Sequence, residues 1–115
     1  PSSILLALMS SGMNGQSFAF NGYLPIDKHE RKQQIKVLEK RSSELNQSQL
    51  FIETPYRNNQ MLTDLAATLH PNTKVCVACD LTLPSEFIKT QSAKAWKTNT
   101  EDFHKRPAIF IIQKD

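Results

Sequence analysis

Glycine and cysteine are scarce in this sequence: it has three of the first and two of the second among 115 residues. Gly12, Gly15 and Gly22 do not stand in the spacing of a dinucleotide-binding or P-loop phosphate cradle, so both are excluded. No apolar run approaches the roughly 18 residues of a membrane span. The apolar stretch Ile4 to Met9 has no basic region before it and no small-residue cleavage site after it, which excludes a secretory signal. Catalytic signatures are missing too. The serines lack a nucleophile-elbow context, and His29, His70 and His104 lie far apart beside charged or turn residues.

The two cysteines, Cys76 and Cys79, form a C-x-x-C inside Lys74-Val75-Cys76-Val77-Ala78-Cys79. Such spacing serves redox pairs and zinc sites. The run reads as a buried strand, where residues three apart point to opposite faces, and no second pair exists to complete four ligands. Two buried thiols packing as small hydrophobes are expected, with no metal. That usage suits a reducing, cytoplasmic compartment.

What is present fits one soluble domain spanning 1–115, with 39% hydrophobic residues and a net charge of +3. The positive excess gathers in Lys28, Arg31, Lys32, Lys36, Lys40 and Arg41, on a long polar helix whose outer face is expected to carry them. An anionic partner is allowed by this charge and not required. The chain starts at Pro1, without an initiator Met, and enters an apolar segment at once, so we expect a piece of a longer protein.

Strands and helices alternate along the sequence. Ser2 to Ser11 reads as a helix ended by Gly12, and Ser17 to Leu24 as a strand closed by Pro25. Asp27 with Glu30 opens a helix to about Asn46, in which Ile35, Leu38 and Leu45 keep helical spacing. Gln49 to Glu53 is a strand, and Thr54-Pro55 opens a helix with Met61, Leu62, Leu65, Ala66 and Leu69 on one face. Thr73 to Asp80 is an interior strand, apolar on both faces. A weaker strand at Glu86 to Thr90, a short helix at Ser92 to Trp96 and a last strand at Ala108 to Gln113 complete an α/β domain: a mixed, roughly five-stranded sheet flanked by helices.

Ligands of open α/β sheets collect at the carboxyl ends of strands. Here those ends carry Glu53, Thr54, Pro55, Tyr56 and Arg57, then Asp80, Leu81 and Thr82 with Glu86 beyond. The Thr-Pro helix opening offers free N–H groups to a carboxylate, phosphate or ribose. It serves equally well as a plain helix cap, with Arg57 paired to Glu53 or to solvent.

Taken in order, Pro1-Ser2-Ser3, Phe18-Ala19-Phe20-Asn21-Gly22-Tyr23-Leu24-Pro25, Leu50-Phe51-Ile52-Glu53-Thr54-Pro55-Tyr56-Arg57 and Ala78-Cys79-Asp80-Leu81-Thr82 with Glu86 resemble the tetrapyrrole methylase superfamily. The likeness is nearest to the branch that 2′-O-methylates a cytidine of small-subunit ribosomal RNA. It covers nearly the whole chain. It implies the C-terminal domain of a two-domain, S-adenosylmethionine-dependent methyltransferase, commonly a homodimer, whose glycine-rich N-terminal domain is not in these residues. Carried over residue by residue, the resemblance puts Pro1, Ser2, Ile52, Glu53, Thr54, Arg57, Ala78, Pro107 and Ala108 at the methyl donor. Thr82 and Glu86 fall on the acceptor side, and no catalytic group is implied. Where the ribosomal branch has Arg-Glu-Leu-Thr-Lys, this chain has Cys79-Asp80-Leu81-Thr82-Leu83, without the two cations. Two other readings stay open: a non-catalytic interaction domain that keeps the fold, and a methylase of a tetrapyrrole-like small molecule.

Overall fold

The computed structural model describes residues 3–115. Pro1 and Ser2, expected at the methyl donor, lie outside the described residues. Helix α1 (Ser3–Ser11) leads to strand β1 (Phe18–Tyr23), helix α2 (Lys28–Leu45) and strand β2 (Ser48–Ile52). A 3₁₀ turn (Pro55–Arg57) runs into helix α3 (Asn58–Thr68). Strands β3 (Lys74–Cys79) and β4 (Phe87–Ser92), the short helix α4 (Ala93–Trp96) and strand β5 (Ala108–Gln113) follow.

Local chemistry sets the element ends. The Asp27 carboxylate accepts from the Glu30 N–H at 3.0 Å, capping α2, and Asn46 ends it in the left-handed conformation at φ 48°. Gly12 takes φ 73° directly after α1, a backbone shape that glycine adopts without a Cβ clash. The Ser92 hydroxyl accepts from the Ala95 N–H and starts α4.

The five strands form one sheet in the order β1-β2-β5-β3-β4. β1 and β2 are parallel, while β5 runs antiparallel to both β2 and β3, and β4 antiparallel to β3. The carboxyl ends of β1, β2 and β3 therefore share one edge with the amino ends of β4 and β5.

The two sheet faces are covered unequally. On one lies the larger core, where Ile35 and Leu38 of α2, Met61 and Leu65 of α3 and Trp96 of α4 pack on Phe51, Val75, Val77 and Phe110. Phe51 and Phe110 stack with centroids 5.9 Å apart, and the Trp96 indole donates to the Val75 carbonyl at 2.8 Å. Burying rings of this size stabilises by about 1.5–3 kcal/mol each. Among the described residues the other face carries α1 alone, with Ala7 and Leu8 against Leu50, Cys76, Ala78, Ile109 and Ile111. Because α1 lies over β3, β4 and β5, the outer strand β1 leaves Phe18 and Phe20 exposed on that side.

Cys76 and Cys79 are buried free thiols in different cores, one on each face, as strand alternation predicts. One expectation is corrected. Arg31 is not part of the solvated basic face of α2; it is 2% exposed, on the same stripe as Ile35, Leu38 and Ser42.

Candidate functional site

A cleft of about 460 Å³ opens at the shared edge, on the α1 side. Its size falls within the roughly 300–1,000 Å³ of small-molecule sites. Strand register makes its floor, since Ile52 pairs with Ile109 and Ile109 with Ala78, so that three apolar side chains stand side by side. Ala78 is paired on both flanks, to Ile88 and Ile109, and offers the cleft its methyl group. At the open end of this row stands Tyr23. The register of β1 against β2 shifts by one residue between Phe20 and Tyr23, and Gly22 takes φ 67° there. This bulge turns Tyr23 onto the cleft face, opposite Ile52.

Two carboxylates form the rim, and each is held by a buried or half-buried arginine. Glu53, at the end of β2, is ion-paired with Arg31 through Oε2 and accepts the Thr54 N–H at 2.7 Å through Oε1. Arg31 also donates to the Pro25 carbonyl at 2.9 Å and to Asp64 of α3 at 3.3 Å. One guanidinium thus joins the segments after β1 and β2 to α3. A buried charge cluster of this kind is tolerated only with such full pairing.

Asp80, directly after β3, takes φ 52° and is 7% exposed. Its N–H donates to the Pro107 carbonyl at 3.0 Å, and its Oδ2 accepts from Arg106 Nε at 2.7 Å. That hydrogen bond holds the Asp80 carboxyl below its ordinary pKa against the opposing effect of burial, and raises the Arg106 guanidinium. Arg106 donates further to the Ser85 and Asp102 carbonyls and lies over the Phe103 ring at 5.8 Å. The turn after β3 and the turn before β5 are locked together.

Of the residues expected at the donor, Ile52, Glu53, Ala78, Pro107 and Ala108 all line this cleft, with Ser3, Ile4 and Pro55 beside them. Thr54 and Arg57 stand just behind the rim, joined by a 3.3 Å hydrogen bond, with Arg57 3.7 Å from Glu53. Thr82 and Glu86 do not line it. The Glu86 carboxylate accepts the Thr82 N–H at 2.8 Å, closing the exposed loop between β3 and β4 on itself.

Sequence reasoning missed Arg31, Tyr23 and Arg106. Arg31 lay four residues before Ile35 on the apolar stripe of α2, which was a usable sign of burial. Nothing local marked the other two. No group of three or more His, Cys, Asp or Glu able to hold a metal occurs among the described residues.

The fold is that of the tetrapyrrole methylases. The methyltransferase CobJ superposes with a TM-score of 0.60, over 98% of this chain and 48% of that one, at 15% identity. The cobalt precorrin-4 methyltransferase CbiF gives 0.58 over 97% and 48%, at 13% identity. No protein-family model matches the chain.

Its sequence relatives are ribosomal enzymes by name. Ribosomal RNA small subunit methyltransferase I of Buchnera aphidicola is 26% identical over 115 residues, 97% of this chain and 39% of that protein. The Vibrio cholerae protein of that name is 30% identical over 89 residues, 77% and 30%, and that of Bacillus subtilis 34% over 86 residues, 74% and 28%. The likeness read from the motifs is therefore borne out in the fold and in relatives named as small-subunit ribosomal RNA methyltransferases. The chain spans two fifths or less of the length of these relatives. No described helix is long and apolar enough to cross a membrane.

Proposed function

We propose that this chain is the C-terminal, donor-binding domain of an S-adenosylmethionine-dependent methyltransferase, cytoplasmic, whose acceptor is a ribose 2′-hydroxyl of ribosomal RNA. The observation that carries the reading is the cleft itself: five residues expected at the donor, from three separate segments, line one cavity. The names of the sequence relatives support the ribosomal acceptor.

The residues present fit such a ligand. An apolar floor of Ile52, Ala78 and Ile109 suits an adenine ring or a methylene chain, and the rim carboxylates of Glu53 and Asp80, their charge matched by arginines, suit ribose hydroxyls as hydrogen-bond acceptors. S-adenosylmethionine would supply an electrophilic methyl group on a positively charged sulfur. The work of this chain is then to bind, orient and exclude water, since in-line transfer depends chiefly on alignment. Neither Glu53 nor Asp80 is free to act as a base, because both are ion-paired.

A homodimer is part of this proposal, supported by the uncovered Phe18 and Phe20 on the outer strand. Sedimentation of the full-length protein tests it; a monomer at micromolar concentration counts against it.

The donor site is tested by titrating S-adenosylmethionine into the full-length protein and its Ile52→Lys variant. Ile52 is half-buried on the cleft floor, and a cation there opposes a cationic sulfonium. The expected result is binding by the wild type and a loss of about tenfold or more in the variant. Wild-type protein that binds no donor would instead support a non-catalytic domain that keeps the fold.

A further inference from the structure

We infer that the surface just outside the cleft, built from Tyr56, Arg57, His104 and Lys105, is a docking platform for an unpaired nucleotide of an RNA strand. The inference rests on the reading of the acceptor as RNA.

Two turns that are far apart in sequence make this surface. The Lys105 N–H donates to the Pro55 carbonyl at 3.0 Å, and the Tyr56 and His104 rings meet edge-on with centroids 5.8 Å apart. Both turns abut the cleft, which Pro55 and Pro107 line. Tyr56 is 70% exposed, the largest such exposure of an aromatic side chain among the described residues, and its ring is propped by His104. An aromatic held in place and left open is what base stacking uses.

The charge around it has the matching sign. Lys105 is exposed and makes no ion pair among the described residues. Arg57 keeps 43% of its side chain exposed and stands 3.7 Å from a carboxylate that Arg31 already pairs. Of the nearby acids, Asp80 is paired with Arg106, whereas the exposed Asp102 accepts from the Asn59 side chain and the His104 N–H and keeps its charge, as does the exposed Glu101 beside it. Lys105 also takes φ 62°, a conformation that a lysine adopts at a cost unless the surroundings impose it. The bond to Pro55 fixes that turn against the one that carries Tyr56. A base on Tyr56 with flanking phosphates near Arg57 and Lys105 would put the strand at the mouth of the cleft.

The test measures RNA and donor-product binding on the same full-length proteins. Anisotropy with a fluorescein-labelled single-stranded oligoribocytidine reports the first, and calorimetry with S-adenosylhomocysteine the second. Tyr56→Leu is expected to weaken RNA binding roughly 5- to 150-fold, the range of one lost stack, while Tyr56→Phe stays near wild type. Lys105→Asn, which keeps a residue tolerant of positive φ, is expected to lower the slope of log affinity against log salt by about 0.7. S-adenosylhomocysteine affinity should be unchanged in all three. RNA binding that survives Tyr56→Leu and Lys105→Asn intact overturns the platform and leaves the RNA reading standing. Parallel loss of S-adenosylhomocysteine affinity also overturns it, by assigning these residues to the donor. A wild-type protein that binds no RNA at low salt removes the RNA reading and the platform with it.

Discussion

Arg31 of α2 closes on Glu53 at the end of β2 with only 3% and 2% of the two side chains exposed. A helix whose Ile35 and Leu38 already pack on the sheet is thereby fastened to the cleft rim as well. The same guanidinium reaches the Pro25 carbonyl and Asp64, so its removal loosens three segments at once.

Replacing Arg31 with Met leaves Glu53 buried beside the cleft with only the half-exposed Arg57, 3.7 Å away, to pair it. The cost expected is about 3–5 kcal/mol, the range for breaking a buried pair on one side. The double variant Arg31→Met, Glu53→Leu should recover a large part of that loss, since an apolar pair needs no compensation. Urea unfolding followed through Trp96, the single tryptophan of the chain, measures both. A single variant as stable as wild type would show that the pair contributes nothing.

The Asp80–Arg106 pair predicts a pH dependence. The Arg106 hydrogen bond depresses the Asp80 pKa in the folded state, so the folded protein holds the charged form more strongly than the unfolded chain does. The stability from this pair is complete above the ordinary carboxylate pKa, about 3.9, and is lost as pH falls through the lower folded value. Asp80→Asn keeps a residue that tolerates φ 52° and removes the titrating charge. The variant should be less stable than wild type at neutral pH, with the gap closing in acid. Urea midpoints across that range check it, and a gap independent of pH would refute the assignment.

Much of this fold was legible because its cues are local. Ile35 and Leu38, or Met61 and Leu65, declare a helix face within a few residues, and Asp27 and Gly12 mark helix ends by their own backbone needs. Strand order was not legible: β5 inserts between β2 and β3, a pairing made across long stretches of chain. The candidate site divides in the same way. Ile52, Glu53, Ala78, Pro107 and Ala108 were found through a family resemblance, whereas Tyr23 reached the cleft through a bulge that shifts its face by one residue. Arg106 was hidden because its partner lies 26 positions away.

Both thiols should be unreactive in the folded protein. Burial pushes Cys76 up and Cys79 up to about 11, against an ordinary 9.0 in each case. At neutral pH Cys79 then holds about a hundredfold less thiolate than a free cysteine, before any loss of access is counted. Labelling with a thiol-specific disulfide reagent should be slow in buffer and fast in urea. Their positions on opposite sheet faces also predict no disulfide between them under mild oxidation, which mass spectrometry of the unreduced protein reads directly.

Asn58 links the fold to the site through the backbone ahead of β5. It is fully buried at the start of α3, and its side-chain amide donates to the Phe103 carbonyl at 3.2 Å and the Arg106 carbonyl at 2.5 Å. Asn58→Ala strands the Arg106 carbonyl and leaves the Phe103 carbonyl with only the Arg106 N–H, at a cost of about 1–3 kcal/mol for a buried unsatisfied group. The consequence reaches the cleft, because Arg106 positions Asp80, and Pro107 and Ala108 line the wall. The variant should therefore lose S-adenosylhomocysteine affinity as well as stability. Thr63→Ala, exposed on the same helix, keeps the Asn58 bonds while losing only its hydroxyl's bond to the Asn59 carbonyl, and should change that affinity far less. Equal losses in the two variants would mean that α3 as a whole, and not the Asn58 amide, holds the wall in place.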